Sequence, residues 1–132
     1  MMRQKTRDER GASAVEFAFI VPLLIVLVVG IAEFGRAFQV QSTLSAAARE
    51  GVRTMALQNN PAAARANAEN VAASLNPSVT DSQITISPAA CPTTYPNTTN
   101  VTVTISYRLS YFTGFFGTGV NLTGRGVMRC NG

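Results

Sequence analysis

Gly11 and Glu16 are the residues of this chain whose types and spacing could do chemistry together. The segment reads Arg10-Gly11-Ala12-Ser13-Ala14-Val15-Glu16-Phe17 and then runs without a charge from Phe17 to Ala32. An ionised carboxylate at membrane depth costs several kcal/mol unless it is paired, reaches the interface or lies close to it, so such a residue usually marks function. Scission of the chain after Gly11 would make Ala12 the amino terminus and place Glu16 about one helical turn away. The product would carry an ammonium and a carboxylate at the head of an apolar helix. On neighbouring subunits these charges could pair, because opposite charges attract strongly where the dielectric is low and an unpaired one is costly. One ion pair would then set the register of stacked apolar helices, as a single buried polar residue does in a coiled coil. The alternative is a Glu16 that sits at the headgroup boundary and has no partner.

The element that must position these residues is the apolar run itself. Gly11 to Ala32, as a helix, is about 33 Å long, enough to cross a hydrocarbon core of about 30 Å. Pro22 interrupts it, so a kink or local melting near Phe19 to Val21 is expected. Arg3, Lys5, Arg7 and Arg10 precede it against only Asp8 and Glu9, which keeps the N-terminus cytoplasmic by the positive-inside rule and sends the rest across the membrane. The expected organisation is a basic cytoplasmic leader over residues 1–11, a transmembrane helix over 12–38, and an extracytoplasmic domain over 39–132. A removable secretory signal ending at Gly30-Ile31-Ala32 is a rival reading. Against it, Val40, Leu44, Ala47, Ala48, Val52 and Met55 continue the helical period well past that point. Glu33 and Arg36, three residues apart where the helix leaves the membrane, are expected to form a solvated pair. A docking role for Glu33 is the alternative.

Composition excludes more than it proves. The chain has 132 residues, room for one anchor and one small domain. It has no histidine, which removes the usual general base and the commonest metal ligand. No catalytic constellation, metal set or cofactor motif is visible, so the expectation is a non-enzyme with no cofactor and no small-molecule substrate. The net charge of +4 does not indicate nucleic acid. Beyond residue 36 the arginines stand singly, offset by Glu50, Glu69 and Asp81, and leave no stripe for a phosphate backbone. Cys91 and Cys130 are the only cysteines. An even pair in an exported domain is expected to form a disulfide, the alternative being two buried thiols.

The stretch from Arg10 to about Ala56 resembles the TadE-like family, pseudopilins or minor pilins of the tight-adherence (Tad/Flp) branch of type IV pilus-related secretion machines. The resemblance rests on Arg-Gly-Ala-Ser-Ala-Val-Glu-Phe-Ala, the apolar run, Gly-Ile-Ala-Glu-Phe-Gly-Arg-Ala and Ala-Ala-Arg-Glu-Gly-Val-Arg, and covers about a third of the chain. It implies a bacterial inner-membrane protein, single pass, cut between Gly11 and Ala12 by a membrane prepilin peptidase, with possible incorporation into a cell-surface pilus. It implies docking through Ala12, Glu16 and Phe17, with other pilin or pseudopilin subunits and Tad platform proteins as partners. An uncleaved single-pass tether carrying a binding module or adhesin is the alternative from another functional class.

Patterning beyond the anchor predicts an α+β fold, in which the long helix and a second short one pack on a small antiparallel sheet. Asn59-Asn60-Pro61 should end the first helix, and Pro61 to Leu75 should form the second, stopped by Asn76-Pro77. Ile84 and Ile86, then Val101 to Tyr111, then Val120 to Cys130 alternate with period two and read as strands. Gly124 and Gly126 suggest a bulge or bend in the last. Residues 88–100 form a loop pinned by Cys91. Three phenylalanines in Phe112-Thr113-Gly114-Phe115-Phe116-Gly117 either face a membrane or a partner subunit, or close the end of the core.

Overall fold

The computed structural model describes residues 5–94 and 98–131. Arg3 of the basic cluster, and Tyr95, Pro96 and Asn97 of the 88–100 loop, lie outside them. Helix α1 runs from Lys5 to Gln58, helix α2 from Pro61 to Val71, and a short 3₁₀ turn covers Asp81–Gln83. Strands β1 (Ile84–Ser87), β2 (Asn100–Ser110) and β3 (Gly119–Arg129) form one antiparallel sheet in the order β1-β2-β3. The expected α+β architecture is the one observed.

Helix α1 is about 80 Å long at 1.5 Å per residue, and it does two jobs. Its first half touches little else in the chain: the most apolar window is wholly uncovered. The helix continues through Pro22, so the melting expected at Phe19 to Val21 does not occur. Its second half, from Val40 to Ala56, lies on the inner face of the sheet and packs on α2.

Asn59 ends α1 with φ +49°, the left-handed conformation in which asparagine is tolerated and which commonly closes a helix. Its N–H donates to the Met55 carbonyl at 2.9 Å. Asn60 then caps α2, its side chain accepting from the Ala63 N–H at 3.2 Å, and Pro61 supplies the first helical position, where its missing N–H costs nothing. Helix α2 stops at Val71, four residues short of the expected Leu75. The chain tightens there into three-residue turns, Ala73 N–H to the Asn70 carbonyl and Leu75 N–H to the Ala72 carbonyl. These turns still bury Ala72 and Leu75, although the helix has ended.

Strand β2 buries Val101, Val103, Ile105, Tyr107 and Leu109 and turns Thr102, Thr104, Ser106 and Arg108 away from the core. The β2–β3 register is unbroken from Asn100 opposite Arg129 to Ser110 opposite Gly119, so β3 has none of the bulge expected at its glycines. Gly124 and Gly126 are instead where α1 lands. A Cβ on Gly124 would collide with the Leu44 carbonyl oxygen, and one on Gly126 would lie 2.7 Å from the Ala48 carbonyl oxygen. The missing side chains let the helix backbone rest directly on the strand. Gly51, on the opposite side of the contact, gives α2 similar access: a Cβ there would meet Ala68 at 3.3 Å.

Cys91 and Cys130 form the expected disulfide, with Cα atoms 5.6 Å apart. Closing a loop of this size stabilises by about 4 kcal/mol in the chain-entropy account. The bridge is tied to the end of α1, because the Cys91 N–H donates to Asn59 Oδ1 at 2.6 Å and the Asn131 N–H to the Ala56 carbonyl at 3.1 Å. The 88–100 loop, as far as it is described, is therefore pinned as expected.

Glu69 of α2 faces Asp81 of the 3₁₀ turn. Hydrogen bonding to Asp81, then desolvation and repulsion from its charge, raise the Glu69 carboxyl above its ordinary value of 4.5. A raised folded-state pKa means that the folded chain holds the proton more tightly than the unfolded one, so stability from this group is fullest below about 4.5 and is lost as pH rises through the folded value. The urea midpoint of the domain should therefore fall less steeply with rising pH in Glu69→Gln than in the wild type. Parallel pH profiles for the two proteins would remove this pair from the pH response.

Candidate functional site: the apolar helix and its collar

The sequence-predicted head of α1 is fully displayed. Gly11, Ala12, Glu16 and Phe17 are all exposed along one continuous helix, with Phe17 at 68%. Ala12 and Glu16 are four residues apart and so lie one turn from each other on one helix face. Among the described residues Glu16 has no hydrogen-bond or ion-pair partner. Nor does the fold explain Gly11. A side chain there would meet nothing within 4 Å, and its φ is ordinary for a helix. Glycine inside a helix costs about 1 kcal/mol relative to alanine, and no contact among the described residues repays that cost. Gly35 is likewise unobstructed, on the same uncovered helix.

Beyond the head, Val15, Phe17, Phe19, Ile20 and the residues from Leu23 to Val28 are all exposed large hydrophobics. The apolar effect is roughly proportional to area removed from water, and nothing among the described residues removes it here. This half of α1 has to be covered by lipid or by other chains. Its length and composition suit a membrane span.

At the outer end of the run the structure departs from the expectation for Glu33 and Arg36. They do not form a solvated pair. Glu33 is only 3% exposed, and its Oε1 accepts from the backbone N–H of Thr113 at 3.0 Å. Arg36 has other partners: Nη1 donates to the Ser110 carbonyl at 2.7 Å, and the guanidinium lies 4.1 Å from the centroid of the Phe112 ring, within cation–π range. Both charges therefore clasp the β2–β3 connection rather than each other. Helix spacing put them on one face, but backbone groups about eighty residues downstream were better partners. Glu33 Oε2 and Thr113 Oγ1 remain buried without a hydrogen-bond partner.

The clasped connection folds back toward the apolar run. Phe116 lies over Gly30 so closely that a Cβ added there would be 3.2 Å from its Cζ. Gly30, Glu33, Phe34, Ala37, Tyr111 and Phe116 line a cleft of about 260 Å³ between helix and loop. Yet the rings do not close the core. Phe112 is 72% exposed, Phe115 68% and Phe116 49%, so the core-closing reading of this loop is incorrect. Sequence reasoning noted the phenylalanines but missed that Glu33 and Arg36 position them. The only advance signal was the Glu-Phe-Gly-Arg block itself.

Among the described residues no cluster of histidine, cysteine, aspartate or glutamate is arranged to hold a metal ion. Residues 11–53 match the family model described as TadE-like protein, a structural pilus-associated family. The match begins at Gly11 and ends inside α1, so it covers the apolar helix and its first turns on the sheet. Comparison with curated proteins and with solved structures returned no match. The TadE-like match and the long apolar helix together fit a membrane-anchored, Tad pilus-associated component.

Proposed function

We propose that this chain is a pseudopilin or minor-pilin-like structural subunit of a Tad/Flp-type assembly, working through helix association and performing no catalysis. Residues 1–11 are a basic leader on the cytoplasmic side of the bacterial inner membrane, 12–38 the span, and 39–132 an extracytoplasmic domain bearing the disulfide. A prepilin peptidase removes the leader after Gly11. The new Ala12 ammonium and the Glu16 carboxylate of a neighbouring subunit then pair in low dielectric, with Phe17 beside them, and fix the register of the stacked helices against other pilin-type subunits and the Tad platform.

The observation that carries this reading is the combination at the head of α1. Among the described residues Gly11 has no structural reason to be glycine and Glu16 has no partner, while the family match starts at that glycine. Residues that are costly to the isolated fold and unexplained by it suit outside partners: a peptidase for one, a sister subunit for the other.

N-terminal sequencing of protein extracted from the membrane of its native host tests the proposal. The expected first residue is Ala12 in the wild type. In Gly11→Val the leader should remain, with insertion unchanged because the apolar run is untouched. A wild-type start at Met1 or Met2 would refute processing and move the chain to the class of simple tethers.

A further inference from the structure

We infer that the Phe112–Phe116 loop is a second membrane contact, which inserts its rings into the outer headgroup–acyl boundary beside the span. The inference rests on the reading of residues 12–38 as a transmembrane helix and goes beyond it by assigning a surface of the exported domain. Its first support is position. Phe116 packs on Gly30, two residues before the uncharged run ends at Ala32, so the loop stands level with the outer end of the apolar helix rather than with the far end of the sheet.

The second support is chemistry. Phe116 shares an apolar groove with Leu27, Ile31 and Phe34 of the helix, and Ile31 and Phe34 are exposed at 64% and 75%, as are Phe112 and Phe115 on the same loop at 72% and 68%. Aromatic residues gathered at one end of an apolar span are characteristic of the membrane–water boundary. The patch is continuous with the uncovered helix below it, so the lipid that covers Leu27 and Ile31 would also reach the loop. Arg36, stacked on Phe112, has a long stem and a charged tip of the kind that sits in apolar surroundings while its head meets phosphates.

The third support is that the loop is held for this purpose. Glu33 grips the Thr113 N–H and Arg36 the Ser110 carbonyl, while the Tyr111 N–H donates to the Thr118 carbonyl and closes the neck. Gly117 takes φ +106°, a conformation costly for other residues. A clasp of this kind fixes the rings against α1 without burying them. Two attachments, one helix and one loop, would fix the tilt and rotation of the sheet over the bilayer, where a single helix leaves the domain free to swing.

The chain contains no tryptophan, so single-tryptophan variants of the full-length protein report one site each. Phe115→Trp probes the loop, Phe19→Trp the span, and Val127→Trp the outward face of the sheet, where Val127 is exposed. Each is reconstituted at one chain per nanodisc in phosphatidylcholine with phosphatidylglycerol, with lipids brominated at shallow or deep acyl positions. The expected result is blue-shifted emission from Phe115→Trp relative to Val127→Trp, quenching by shallow bromines and protection from aqueous iodide, with Phe19→Trp quenched by deep bromines. Red, iodide-quenched emission from Phe115→Trp while Phe19→Trp is quenched by bromine would overturn the loop assignment and leave the span standing. Emission that turns blue only when several chains share one membrane would assign the patch to a sister subunit and also overturn it. Absence of bromine quenching at Phe19→Trp would overturn the transmembrane reading itself.

Discussion

Gly124→Val should strongly destabilise the helix-and-sheet domain while leaving the apolar helix inserted. The wall that a side chain would strike at Gly124 is the Leu44 carbonyl, with Leu44 Cβ behind it at 2.9 Å. It is backbone of α1 and cannot rotate aside as a side chain would. Retreat of α1 from the sheet would uncover Leu44, Ala47, Ala48 and Val52, all buried in the same contact, and would pull on the disulfide clasp at Asn59 and Ala56. Overpacking a core by a few methyl groups costs about 1–3 kcal/mol, and this substitution adds separation of the two layers. A total of 4 kcal/mol or more is expected, against the roughly 5–15 kcal/mol that holds small domains together. Pulse proteolysis of the detergent-solubilised protein across a urea series measures the change. Val127→Ala on the outer face of the same strand should move the midpoint by an amount equivalent to less than about 0.5 kcal/mol. If Gly124→Val melts alongside Val127→Ala, the helix does not rest on the strand as described.

Glu16→Ala should reverse the usual link between folding and function. Removing a charge from the apolar run makes insertion more favourable. It leaves Gly11 and Ala12 in place for the proposed cut, and leaves the helix-and-sheet core untouched, since among the described residues Glu16 contacts no part of it. What it removes is the proposed partner of a neighbour's ammonium. Breaking one side of an ion pair in low dielectric costs about 3–5 kcal/mol, which at 1.4 kcal/mol per factor of ten is a loss of at least about a hundredfold in subunit incorporation. Sheared pilus fractions or crosslinked membrane complexes, normalised to total membrane-bound protein, read that ratio directly. A variant that is cut, inserted and incorporated at the wild-type level would leave Glu16 without the role proposed for it.

The two predictions separate the halves of α1. One concerns a backbone-to-backbone contact that makes the domain, the other an exposed charge for which a partner on a neighbouring subunit is proposed. A substitution in the first class acts on a monomer in detergent, and one in the second is silent there and appears only in the assembly. Cases that mix the two, such as loss of Glu33, would release the β2–β3 loop and leave the rest of the fold in place.

Much of this molecule follows from the order of its residues, because the controlling interactions are local. The uncharged run after Glu16 fixes an apolar helix whatever it packs against. The Asn59-Asn60-Pro61 sequence supplies a terminator, a cap and a helix start in consecutive positions. The alternation from Val101 to Leu109 selects a strand with one buried face, and two cysteines in a domain of this kind have only each other. Tertiary structure decided what periodicity does not encode. Glycines in β3 read equally as a bulge or as a landing site until α1 is laid across them. Glu33 and Arg36, adjacent on the helix, paired with backbone groups of a distant hairpin because those groups offered geometry that a solvated ion pair does not. Helix spacing and strand alternation carry near-neighbour physics, whereas a contact spanning eighty residues depends on where the whole fold brings the chain back.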